Sequence, residues 1–164
     1  MNTKYKKVVY WIILIAWMIF IFYMSNQPAD VSNGQSDFVL NLVETLGISI
    51  SNNYVDIAIT IIRKGAHFTE YLILSLLYFN VLRMYINKNK ALIYSIGLSF
   101  IYAGTDEFHQ LFVEGRAGRF TDVLIDTSGA ATGSIIVLII KNLITYKKAK
   151  NQRIIHEFIK KCRN

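Results

Sequence analysis

His67, Glu70, Asp106, Glu107, His109, Gln110, Asp122 and Asp126 hold most of the chemistry this sequence offers, and all lie within or at the rims of apolar segments. His67 and Glu70 are three residues apart, as are Asp106 and His109, so on a helix each pair stands one turn apart on one face. An imidazole beside a carboxylate suits general acid–base chemistry, which makes His67 with Glu70 or Asp106 the candidate catalytic set. The same side chains, His67, Glu70, Asp106 and His109, with oxygens from Asp122 and Asp126, are also types that hold a divalent metal such as Mg, Mn, Fe or Zn. Ionisable groups at bilayer depth are costly, and normally face a protein interior, each other or a wet cavity. Two readings stand side by side: a hydrogen-bonded plug that sets helix register, and a functional cluster. No serine or cysteine nucleophile motif is visible, and Ser25 enters only because it lies at the level of the cluster. Cys162 is the single cysteine, so there is no intrachain disulfide and no cysteine metal motif.

Four cations flank the cluster. Arg63, Lys64, Arg116 and Arg119 are individually ordinary interfacial charges, but together they can hold a phosphate or carboxylate, with arginine supplying a bidentate contact.

The elements that must position these groups follow from composition. The 164 residues are 53% hydrophobic and 18% charged, with a mean hydropathy of +0.34. A soluble domain of that size cannot cover so much apolar surface, so the expected solvent is a lipid bilayer. The net charge of +7 does not point to nucleic acid, because the basic residues lie in blocks beside hydrophobic runs.

Four apolar segments predict an all-α membrane protein of four transmembrane helices, over residues 8–24, 66–86, 91–113 and 122–140. The first is too long for the core of a secretion signal, and Ser25-Asn26-Gln27-Pro28 after it offers no cleavage site. Trp11, Trp17 and Tyr23 are its interfacial anchors. Between the first two spans, Ser36-Asp37 predicts the start of an interfacial amphipathic helix with Phe38, Val39, Leu42, Val43 and Leu46 on its apolar face. Gly47 and residues 49–53 close that segment, and residues 54–62 form an interfacial or tilted lead-in that breaks at Arg63-Lys64-Gly65. The expected division is a transmembrane domain of residues 8–140 and a basic cytoplasmic tail of residues 141–164, whose Lys147, Lys148, Lys150, Arg153, Lys160 and Lys161 meet anionic lipid.

Fourteen of the 18 Lys and Arg residues fall before the first span, in the 83–90 turn or after residue 140. That asymmetry predicts a multi-pass protein with both termini cytoplasmic. Counted from those inner anchors, Glu70 and His67 lie about 20 and 24 Å along the second span, Asp106 about 24 Å along the third, and Asp126 about 22 Å along the fourth. Three helices thus carry their ionisable groups to one level in the outer third of the membrane. Gly129 and Gly133, four residues apart, let the fourth span approach a neighbour closely.

Taken together, these residues resemble the VanZ-like family of small bacterial membrane proteins. The matching pieces are Phe22-Tyr23-Met24-Ser25-Asn26-Gln27, Arg63-Lys64-Gly65-Ala66-His67-Phe68-Thr69-Glu70-Tyr71, Thr105-Asp106-Glu107-Phe108-His109-Gln110, Gly115-Arg116-Ala117-Gly118, and Asp122-Val123 followed by Gly129 and Gly133. The resemblance implies a bacterial plasma-membrane protein of the cell envelope and a link to antibiotic resistance, since the family takes its name from a teicoplanin-resistance protein. It gives no reaction. The candidate substrate contacts are Ser25, Gln27, Arg63, Lys64, Glu107, Gln110, Arg116, Asp122 and Asp126. The leading expectation is an outward-facing cluster that binds or modifies a lipid, a cell-wall precursor or a lipophilic glycopeptide at the outer leaflet. The alternatives are a metal-dependent membrane enzyme and a small transporter or proton relay.

Overall fold

The computed structural model describes residues 3–47 and 50–163, with side chains described for 4–47, 50–51 and 53–152. Ser49 and the side chains of Arg153, Glu157, Lys160, Lys161 and Cys162 lie outside the described residues. Among the described residues, stretches free of proline wind into five α-helices: α1 Thr3–Ser25, α2 Ala29–Thr45, α3 Val55–Leu82, α4 Lys88–Gln110 and α5 Phe120–Arg163. A single 3-10 turn, Asn52–Tyr54, leads into α3, and there is no strand among the described residues. The chain divides into two compact units, Met1–Ser134 and Ile135–Asn164. The first carries the candidate site. The second is helical, with exposed Leu143, Ile144 and Tyr146.

Pro28 ends α1, because a proline ring disfavours helical backbone in the residue before it. It also starts α2, where the Ala29 amide, lacking a partner in its own helix, donates to the Glu114 carbonyl at 3.2 Å. The Asn87 side chain accepts from the Lys90 amide at 2.9 Å and caps α4.

The helix in the first connection begins at Ala29 rather than at Ser36, since Pro28 fixes its own entry. The expected break at Arg63-Lys64-Gly65 is absent, and α3 runs unbroken for 28 residues before ending at Leu82 rather than residue 86. One glycine costs a helix only about 1 kcal/mol, and both cations find partners on neighbouring elements. The Lys64 ammonium meets the Asp122 carboxylate at 3.0 Å, and Arg63 donates to the Asn33 side chain at 3.5 Å. Two other ends also differ: α4 stops at Gln110, and α5 continues past residue 140.

Among the described residues two helices, within Lys4–Ser25 and Phe120–Gln152, are long and apolar enough to cross a membrane. On α1, Ile12, Ile15 and Ile19 point outward, as residues in contact with lipid do. The 28 residues of α3 and 23 of α4 give lengths of about 42 and 35 Å. Their hydropathy is lowered by Arg63, Lys64, His67 and Glu70 on one and Asp106 and Glu107 on the other.

At the centre stands α3, packed against α1, α2 and α4. Leu14, Ile21, Tyr71, Leu74, Val81, Ala103 and Val123 form the core around it. The first turns of α5 also press on α3. A Cβ built on Gly129 would collide with the Phe68 carbonyl, and one on Gly133 with Ser75 and the Leu72 carbonyl. Only glycine permits that approach, as expected from the spacing of the two residues.

Candidate functional site

Along α3, Arg63, Lys64, His67 and Glu70 recur at helical spacing and form one polar stripe. Because α5 lies so close at Gly129, Asp122 and Asp126 on its first turns come to face that stripe. The His67 Nδ1 atom is 3.9 Å from Glu70 Oε2 and 4.0 Å from Asp126 Oδ1, so the imidazole stands between two carboxylates. Both separations exceed hydrogen-bond length. His67 Nδ1, both oxygens of Asp126, both of Asp106 and the Tyr71 hydroxyl are buried with no hydrogen-bond partner among the described residues. Ser25 and Gln110 stand beside Asp106 without strict hydrogen-bond geometry to it, while the Gln110 amide donates to Ser25 Oγ at 2.9 Å.

The connection between α4 and α5 folds back over this cluster. Gly118 lies against the Glu107 carbonyl, leaving no room for a Cβ, and the Arg119 amide donates to Glu107 Oε2 at 2.8 Å. Arg116 reaches across to the end of α1, donating from Nε to the Gln27 carbonyl at 2.9 Å and from Nη2 to the Met24 carbonyl at 3.4 Å. Carbonyls at a helix C-terminus carry partial negative charge, so a guanidinium is well placed there. Arg116 is half-buried; burial and then the neighbouring Arg63 charge lower its pKa, yet arginine remains cationic at neutral pH. Neither Arg63 nor Arg116 forms an ion pair with a carboxylate among the described residues.

Two cavities meet at these residues. One, of about 110 Å³, is lined by Arg63, Lys64, His67, Gln110, Arg116, Arg119, Asp122 and Asp126, with Ala29, Gly115, Ala117 and Ile125. The other, of about 190 Å³, lies between α2 and α3 and shares Arg63, His67 and Arg116 with the first.

Most sequence-predicted residues therefore share one locus, and two do not. His109 pairs with Asn26 at 3.0 Å and packs its ring on Phe22, so it does not join His67 and Glu70. Among the described residues no three His, Cys, Asp or Glu side chains are grouped so as to hold a metal ion. Gln27 contributes its backbone carbonyl, and its side chain turns back to the Tyr23 carbonyl. Sequence reasoning missed Asn33, the partner of Arg63, and the Met24 carbonyl under Arg116. No local spacing joins residues 30 and 92 positions apart. Trp17, expected as an interfacial anchor, donates instead to the Glu70 carbonyl at 3.0 Å and so marks the back wall of the cluster.

The family model described as VanZ/LLP1 matches residues 10–141, more than half of the chain, and the chain belongs to that family. With its two apolar helices, this makes it a membrane protein. No curated protein and no solved structure matches it.

Proposed function

We propose that this member of the VanZ/LLP1 family is a multi-pass protein of the bacterial plasma membrane that binds or modifies an amphiphilic envelope molecule through that molecule's anionic group. In this reading α1, α3, α4 and the first part of α5 cross the bilayer, α2 lies at the outer interface, and both termini are cytoplasmic. The basic residues support that orientation, fourteen of the 18 falling near the termini or within residues 83–90. The cavity that holds Arg63, His67 and Arg116 then faces the outer leaflet, where lipid headgroups, cell-wall precursors and lipophilic glycopeptides are met.

The observation that carries the proposal is the pair of arginines at the junction of the two cavities that form no ion pair with a carboxylate among the described residues. Like charges brought together and partly buried repel each other, and an anion between them relieves that repulsion while accepting charge-assisted hydrogen bonds. His67, between Glu70 and Asp126, is the group that moves a proton if the bound molecule is modified. Family resemblance adds the physiological readout, a lowered susceptibility to teicoplanin-type glycopeptides.

His67→Ala, Asp106→Asn and Arg116→Lys each remove a proton carrier, an anion or a bidentate fork. Expressed at parental levels in the membrane, each is expected to abolish the change in glycopeptide susceptibility that the parent confers. Ile13→Leu and Lys148→Gln, on lipid-exposed and solvent-exposed positions away from the cluster, are expected to change it little. Full protection by all three site variants at normal abundance would make the cluster structural.

A further inference from the structure

We infer that the anion reaches this site sideways from the bilayer, as the phosphate of a lipid phosphate monoester whose hydrocarbon chain lies in a groove along α3. The inference rests on the anion-binding reading above and adds the path and the class of ligand.

Three neighbouring hollows follow α3, with the polar cavity at one end. The middle one, between α2 and α3, shares Arg63, His67 and Arg116 with the polar cavity. It shares Val39, Ile62, Ala66 and Glu70 with a third hollow of about 370 Å³. That last groove is walled by Trp17 of α1, Val39 of α2 and Ile73 of α3. Gly65, Ala66 and Thr69, small residues of α3, form part of its floor between Ile62, Glu70 and Ile73. Residues change in character along α3, from mainly apolar side chains in the last groove, with Thr69 and Glu70 among them, to the guanidinium groups of the polar cavity.

That gradient selects the ligand. A free anion would satisfy the arginines but leave the apolar furrow empty. A neutral chain would fill the furrow but offer the two guanidinium groups no acceptor. A phosphate monoester on a chain meets both ends: its oxygens match two arginine forks, and its chain removes apolar surface from competition with bulk lipid. The wall nearest the cations is α2, through Ser32, Gln35 and Ser36. An adjacent face of α2 exposes Val31, Phe38 and Leu42, which suits a helix resting in the interface beside the opening.

Trp17 is a built-in reporter. Replacing the only other tryptophan, Trp11→Phe, leaves Trp17 as the sole indole in the chain. In detergent micelles, a long-chain alkyl phosphate brominated along its chain is titrated against Trp17 fluorescence. The same brominated chain ending in a hydroxyl serves as control, and inorganic phosphate is measured separately by calorimetry. Saturable quenching is expected with the phosphate, and only weak, non-saturating quenching with the alcohol. Thr69→Phe, at an exposed position that lines only the last groove, is expected to weaken alkyl phosphate binding at least tenfold while leaving inorganic phosphate binding unchanged; Gly65→Leu, where an added side chain meets open space, repeats the test one turn away. Alkyl phosphate binding unaltered by both variants, or inorganic phosphate binding as tightly as the alkyl phosphate, overturns the lateral path while leaving the anion site standing. Failure of the parent to bind either phosphate overturns the anion site and the lateral path together.

Discussion

Replacing Gly129 with alanine tests the packing that brings the site together. In a helix open to its surroundings such a change is favourable, since alanine exceeds glycine in helix propensity by about 1 kcal/mol. At Gly129 the sign should reverse, because the added methyl falls on the Phe68 carbonyl, a backbone atom that no rotamer change can move aside. Overpacking of this kind costs about 1–3 kcal/mol, so the folded fraction relative to the unfolded should drop by roughly 5- to 150-fold. The damage should also reach the site. Asp126 lies three residues before Gly129, and Phe68 follows His67, so pushing α5 off α3 widens the 4.0 Å gap between His67 and Asp126. Gly97→Ala on α4, where nothing lies within 4 Å of the new Cβ, is the matched control. Both variants and the parent would be unfolded by increasing mole fraction of a denaturing detergent and followed by circular dichroism. Gly97→Ala should be as stable as the parent or more so, and Gly129→Ala clearly weaker. Equal transitions for the parent and Gly129→Ala would refute the close approach of α5 to α3, and with it the geometry of the cluster.

Topology is testable with reporters: a fusion after residue 164 or within residues 87–90 should report cytoplasm, and one within residues 49–53 the exterior. A cytoplasmic signal from the 49–53 fusion would invert the orientation. Asp126→Asn should leave stability unchanged or raised, because the carboxylate is buried without a hydrogen-bond partner, yet it should remove function. A loss of about 3 kcal/mol or more in the same detergent titration would instead identify Asp126 as a structural keystone.

Much of this was readable from residue order. The apolar runs located α1, α3, α4 and the start of α5. Counting along each helix set His67, Glu70, Asp106 and Asp126 at one depth, and the structure brings His67 to within 4.0 Å of Glu70 and Asp126. The Gly129 and Gly133 spacing announced the contact with α3 that makes this possible. What escaped the sequence depends on tertiary partners. The cations at Arg63 and Lys64 look like a helix break in isolation, but Asn33 and Asp122 receive them and the helix continues. Arg116 reads as a loop charge until the C-terminal carbonyls of α1 are seen beneath it. His109 matches Asp106 in spacing, but Asn26, far away in sequence, takes its ring nitrogen.

The account turns on whether Arg63 and Arg116 bind an anion. Arg63 is the cleaner residue to remove, because its side chain makes one long contact, 3.5 Å to Asn33, whereas Arg116 also ties the loop to α1. Calorimetric titration of hexyl phosphate into the detergent-solubilised protein and its Arg63→Gln variant measures the claim directly. Hydrogen bonds to charged groups contribute about 1.5–3 kcal/mol, so the variant should bind about 10- to 150-fold more weakly, with the parent's stability retained. Equal affinity in parent and variant, or no binding by the parent, would contradict the claim.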